Sequence, residues 1–168
     1  MQTALRFPFP KRLQRHVSNE FPVLARRFTP RTVFMDIGSA DCQLALQAAS
    51  YVERVYAIDV SGRFLQNVLV PLNLRLVLCG GVRIPVPEAS VDVAFSGGFI
   101  DQLHPDDAAE HLASVRRSLA PGGEYVCRTA SPSEVRKGML AAGFSKVRVL
   151  WPFISFSRGN LLRISGIR

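Results

Sequence analysis

The sequence predicts a doubly wound α/β domain on a mainly parallel, seven-stranded sheet. Two observations lead to it. Short apolar runs of strand length alternate with segments of helical character through most of residues 31–168, the pattern of crossovers onto a parallel sheet. Right-handed crossovers then place helices on both faces. The last two apolar runs, residues 146–153 and 161–168, have no helical segment between them and read as a hairpin.

The elements follow in order. Residues 11–27 have the spacing of a basic amphipathic helix interrupted near Pro22. Residues 1–30 are therefore read as a basic, helical N-terminal extension and residues 31–168 as the α/β domain. Residues 31–38 form an apolar run closed by Gly38, a buried strand, and Asp41 is placed to cap the helix that follows. Residues 54–60 make a second strand, 61–69 a short helix ended by Pro71, and 73–81 a third strand running into Gly80 and Gly81. A loop held by Pro85 and Pro87 precedes a fourth strand at 91–98.

Residues 104–120 give the clearest helix, with Pro105 at its start, Asp106 and Asp107 in the first turn, and Arg116 and Arg117 near its end. The Pro121-Gly122-Gly123 turn is expected to close it. A fifth strand at 124–130 and a helix at 131–144 complete the alternation.

The 168 residues, 48% hydrophobic and 20% charged, suit one packed domain. No uncharged apolar stretch reaches the roughly 18 residues of a membrane-spanning helix. The N-terminus has no apolar centre of a secretory signal; it is Arg-rich and free of acid up to Glu20, but two early prolines and few serines weigh against a transit peptide. The three cysteines are odd in number and none is spaced CxxC. They read as small buried hydrophobes in a reducing, cytoplasmic setting, with no disulfide framework and no metal site expected.

Charge is unevenly spread. Residues 1–33 carry seven Lys/Arg and one acid, net +6; residues 34–120 carry six and ten, net −4; residues 121–168 carry eight and two, net +6. Basic ends around an acidic middle suit an anionic partner: an acidic or phosphorylated sugar, a nucleic acid or a membrane surface. A solvated basic surface that aids solubility explains them equally well.

Ligands of doubly wound sheets sit beyond the carboxyl ends of the strands. The residues there are Asp36 to Cys42, Asp59, Cys79 to Gly81, and Ser96 to Gly98. The first loop has one glycine, Gly38, and an acid, Asp41, where a dinucleotide site needs several glycines around a pyrophosphate. A phosphate-free cation such as S-adenosylmethionine (SAM) suits this loop better. Asp59 follows Asp36 by 23 positions, about where an acid reaches ribose hydroxyls; a cap for the helix begun at Ser61 is the alternative, and the ribose role is favoured because loop and acid occur together.

Five segments, at residues 36–42, 55–61, 84–96, 103–112 and 116–129, resemble class I SAM-dependent methyltransferases, and within them a bacterial group associated with glycan and cell-surface biosynthesis. The resemblance covers residues 33 to about 150. It implies a Rossmann-like methyltransferase fold and SAM as cofactor, with Asp36, Gly38, Ala40, Asp59, Val60, Gly80, Gly81 and Ser96 around it. The sequence departs from the family at four places. Ala40 stands where a Gly is usual, and Gly80 where an Asp meets the adenine amino group. Gly97-Gly98 replaces Asn-Gln, and Asp101-Gln102 replaces Glu-His. The stretch between Thr129 and Met139 is also short.

Methyl transfer needs mainly proximity and orientation, and an alcohol acceptor also needs a base. Asp101 and His104 are the candidates; His104, Asp106 and Asp107 are also explained as a helix start. The expected function is methyl transfer to a small-molecule or glycan-linked, anionic acceptor. The alternative is a binding protein that keeps the fold with a reduced cofactor site. An RNA methyltransferase is less favoured, because no aromatic-basic recognition motif accompanies the charge. A peripheral contact with an anionic membrane also fits the basic ends.

Overall fold

Each of the first five apolar runs carries β-branched, aromatic or aliphatic residues on both alternating faces, so each strand must be covered on two sides. The computed structural model describes residues 20–61, 69–150 and 162–168. It forms these runs into β1 (Val33–Ile37), β2 (Arg54–Asp59), β3 (Leu74–Leu78), β4 (Val91–Gly97) and β5 (Leu119–Thr129), with β6 (Ser145–Leu150) and β7 (Leu162–Ile167) after them. The sheet runs β3-β2-β1-β4-β5-β7-β6. Strands β1 to β5 are parallel to their neighbours, and β7 lies antiparallel between β5 and β6. The strand order reverses between β1 and β4, which places the ligand crevice beyond their carboxyl ends.

Among the described residues, four α-helices pack on the sheet: α1 (Phe21–Ala25), α2 (Gln43–Ala48), α3 (Pro105–Ser118) and α4 (Pro132–Ala141). Leu24 of α1 and Leu46 of α2 join Phe34, Val55, Val93 and Val126 in the core of one face. Leu112 and Val115 of α3 and Met139 of α4 join Met35, Ile58 and Tyr125 on the other. A fully buried side chain such as Phe34 contributes about 1.5–3 kcal/mol relative to exposure. Among the described residues no helix is long and apolar enough to cross a membrane.

Pro22 lies in the first turn of α1, where the missing N–H has no intrahelical partner to lose; the expected helix before it lies outside the described residues. Two expectations change. Asp41 precedes the N-cap, Cys42, although its Oδ1 still accepts from the Gln43 amide at 3.2 Å. The Pro121-Gly122-Gly123 turn does not close α3, which already ends at Ser118. It forms a bulge inside β5, where the register passes from Val91 opposite Leu119 to Val93 opposite Glu124. A Cβ on Gly123 would fall 2.8 Å from the Val91 carbonyl oxygen, so the bulge closes only over glycine. Residues 1–19, and residues 62–68 of the short helix expected after β2, lie outside the described residues.

One ion pair sets the position of α1. The Arg27 guanidinium, just past its end, holds both carboxylate oxygens of Glu124 on β5, at 2.6 and 3.0 Å. The start of the same helix then meets the other end of β5, where Glu20 Oε1 accepts from Arg128 Nη1 at 3.1 Å.

Candidate functional site

Asp36 is the one charged residue in β1, and its strand is central: Asp36 lies opposite Ala57 on one side and Phe95 on the other. The carboxylate is therefore buried, at 3% exposure, and its Oδ2 has no partner among the described residues. Burial, and next the charges of Asp41 and Asp59, push its pKa up from 3.8 to about 7, while the Ala45 backbone amide works against the shift. The loop after it turns sharply. Gly38, Ala40 and Cys42 all have left-handed φ angles, of 71°, 46° and 55°. The Gly38 and Ser39 amides donate to the Ile58 carbonyl at 2.9 and 3.1 Å, which moors the loop to β2.

Asp59, at the end of β2, binds that same loop. Its Oδ2 accepts from the Ala40 amide at 2.8 Å and its Oδ1 from the Ser61 amide at 3.0 Å. Each oxygen keeps a further lone pair. The carboxylate thus ties the turn after β2 to the loop after β1. Val60 beside it is 75% exposed.

Beyond β3, Gly80 and Gly81 differ. Gly80 is exposed and a Cβ there would meet nothing within 4 Å. Gly81 is buried, with φ 74°, and a Cβ would fall 2.4 Å from Phe99 Cζ. The same ring lies 3.3 Å from a Cβ built on Gly38. Phe99, from the turn after β4, therefore packs across both glycine loops.

Beneath Phe99 runs a buried polar chain. His111 Nδ1 lies 2.7 Å from the Gly81 carbonyl, His111 Nε2 lies 3.1 Å from Tyr125 Oη, and Tyr125 Oη lies 2.7 Å from Ser96 Oγ. Burial lowers the His111 pKa, so the ring is neutral. The carbonyl can only accept, so Nδ1 carries the proton, Nε2 accepts from Tyr125, and Ser96 donates to Tyr125. Burial also raises the Tyr125 pKa well above 10. Ser96 is fully buried within this chain. It supports the crevice from below, through the Gly81 carbonyl.

The crevice itself is a cleft of about 240 Å³ lined by Glu20, Asp36, Ser39, Asp41, Gly97 and Arg128, among others. Arg128 stands opposite Gly97 in the β4–β5 register. Asp101 and His104 stand apart from this lining. Asp101 Oδ1 accepts from the Thr129 hydroxyl and its Oδ2 from the Ala130 amide at 2.9 Å. His104 is the N-cap of α3, and its Nδ1 accepts from the Asp106 amide at 3.4 Å.

Sequence reasoning missed Arg128, Glu20, Phe99, His111 and Tyr125. Arg128 had a visible signal: it follows the apolar run Tyr125-Val126-Cys127 near the carboxyl end of β5. Phe99 and His111 had none, because their roles rest on contacts across long separations.

The chain matches the family model described as a Methyltransferase domain over residues 35–127, more than half its length. No curated protein matches it. Among solved structures, a SAM-dependent methyltransferase from Aquifex aeolicus is similar with TM-score 0.71 and 16% identity, over 96% of this chain and 99% of that one. A candidate O-methyltransferase from Nostoc punctiforme is similar with TM-score 0.68 and 11% identity, over 90% of this chain, which spans 56% of that protein's length. Phosphoethanolamine N-methyltransferase 1 of Haemonchus contortus, solved with phosphoethanolamine and S-adenosylhomocysteine, is similar with TM-score 0.60 and 18% identity, over 68% of this chain and 26% of that one. Likenesses at these identities carry the fold, and the family model carries the membership: the chain belongs to the methyltransferase-domain family and has the Rossmann-like fold of class I SAM-dependent methyltransferases.

Proposed function

We propose that the protein transfers the methyl group of SAM to a small-molecule or glycan-linked acceptor that carries negative charge. The observation that carries the cofactor half is the Asp36 carboxylate, buried with Oδ2 unpartnered at the cleft. A buried acid without a partner is costly. A cationic ligand relieves that cost, and Asp41 and Asp59 add to the same negative field.

When bound, SAM supplies a methyl carbon already activated by its sulfonium. Asp36 and Asp41 face the cation, Asp59 accepts from the ribose, and Val60 offers an apolar surface to the adenine. Gly80 and Gly81 offer backbone only. The protein's contribution is then positioning.

The acceptor half rests on the basic ends of the chain, net +6 in residues 1–33 and again in 121–168. It is in keeping with the Haemonchus contortus enzyme, whose structure holds a phosphorylated small molecule. A cytoplasmic location, read from the cysteines, belongs to the same proposal.

A second reading, a binding protein on this fold, draws on Phe99 packed over Gly38 and Gly81 and on Asp101, whose oxygens are both engaged. Calorimetric titration with SAM and S-adenosylhomocysteine separates the two. Binding of both supports the enzyme; binding of neither refutes it. Salt-dependent binding to anionic glycans, RNA and anionic vesicles then sorts the acceptor classes. Absence of binding to all three at low salt leaves solubility as the role of the charge.

A further inference from the structure

Phe99 stands at the junction of the two loops that flank the crevice. A Cβ built on Gly38 would fall 3.3 Å from its Cδ2, and one on Gly81 would fall 2.4 Å from its Cζ. One edge of the ring thus lies against the loop after β1 and its tip against the turn after β3. The ring is only partly buried. The cleft beside it is lined by Asp36, Gly38, Ser39 and Asp41, while Asp59, Val60, Gly80 and Gly81 are not in its lining. Among the described residues, Phe99 is the side chain that bridges the space between this cleft and the turn after β3.

The backbone on either side of the ring is held. The Gly98 amide donates to the Arg128 carbonyl at 2.9 Å, and Ile100 is buried in the core. Movement is left to the side chain, by a change of rotamer. The two residues before it leave room for that. A Cβ on Gly98 would meet nothing within 4 Å, and one on Gly97 only the Phe95 ring, at 3.6 and 3.7 Å.

We propose that Phe99 is a side-chain gate between the two halves of the crevice. The ring turns off Gly38 and Gly81 to admit the adenosine end of a nucleoside ligand, and the cleft beside Asp36 is open in either state. The gate rests on the SAM reading above. An open state that is a minor population reduces apparent affinity by its own fraction. Truncating the ring removes that cost, and it also removes packing that stabilises the fold. Affinity and stability then move in opposite directions, which a purely structural role for Phe99 does not produce.

The test titrates S-adenosylhomocysteine and L-methionine into the full chain and into the Phe99→Ala and Phe99→Leu variants, with thermal unfolding of each. Phe99→Ala is expected to bind S-adenosylhomocysteine about tenfold more tightly, for an open fraction of about one tenth, and to melt at a lower temperature. Phe99→Leu should fall between the two proteins in both respects, and it is the variant read if the alanine protein fails to fold. L-Methionine, which has no adenosine, should bind all three proteins alike.

An S-adenosylhomocysteine affinity that is unchanged or falls in the variants overturns the gate and leaves the SAM reading standing. An equal gain for L-methionine also overturns it, because the effect is then not confined to the adenosine half. Binding by Phe99→Ala where the wild type shows none supports a gate whose open state is rarer still. If none of the three proteins binds S-adenosylhomocysteine, the SAM reading has failed and the gate with it.

Discussion

The Phe99 ring covers Gly81 so closely that a Cβ on Gly81 would fall 2.4 Å from Cζ. Gly80, one residue earlier, has open space around it and a backbone outside the left-handed region. The two glycines of this turn should therefore answer substitution in opposite ways.

Gly80→Asp supplies the acid that the resemblance to class I methyltransferases implies for the adenine amino group, with neither clash nor backbone strain. It is expected to fold with an unchanged melting temperature and to bind SAM about tenfold more tightly, the equivalent of about 1.4 kcal/mol. Gly81→Ala is expected to lower stability by about 1–3 kcal/mol, from left-handed strain and overpacking against Phe99. Thermal unfolding and titration read both. A well-folded Gly80→Asp protein with unchanged affinity would mean that adenine is held elsewhere.

Asp59→Ala is expected to weaken SAM binding by about 1.5–3 kcal/mol, the range for hydrogen bonds to a charged group. The variant also releases the Ala40 and Ser61 amides, so it should lose some stability as well. Asp59→Asn keeps one carbonyl acceptor and should fall between wild type and Asp59→Ala. Equal SAM affinity in all three proteins would remove Asp59 from the ribose site.

The pH dependence centres on Asp36. Its folded pKa, about 7, lies above the ordinary 3.8, so the folded protein binds this proton more tightly than the unfolded chain. The ligand-free protein should therefore lose stability from this group as pH rises from about 4 to about 7, and level off above. A cationic ligand needs the ionised form, so SAM affinity should rise through the same window. Asp36→Asn should flatten the stability profile relative to wild type and weaken SAM at pH 8. Melting temperatures across pH check the first effect, and an Asn variant with the wild-type slope would falsify it.

Ala40 adopts a φ of 46° at the position where the family usually has glycine. A left-handed alanine costs about 1–2 kcal/mol, while a glycine adds about 0.4–1 kcal/mol of unfolded-chain entropy. Ala40→Gly is expected to stabilise the protein by up to about 1.6 kcal/mol, seen as a rise in melting temperature. A fall would show that the loop relaxes around the alanine.

The alternation of apolar runs, the start of α3 and the acids at strand ends were all legible in the sequence, because each depends on neighbours a few positions away. Asp36 could be placed at the crevice from its position at a strand end alone. The sequence also determined the class of the fold and the family, since residues 36–42 and 116–129 carry their motifs locally.

The rest was decided by tertiary structure. Whether Pro121-Gly122-Gly123 closes a helix or bulges a strand depends on the Val91 carbonyl opposite Gly123. That Gly80 accepts a side chain and Gly81 does not depends on Phe99, eighteen positions or more further along. The hydrogen-bond chain from Gly81 through His111 and Tyr125 to Ser96 joins three elements. Glu20 and Arg128 are separated by 108 positions, yet they are 3.1 Å apart in the fold. Periodicity and spacing report which face a residue takes along its own element. Only the packing of one element on another fixes which buried polar atom is satisfied and which, like Asp36 Oδ2, has no partner among the described residues.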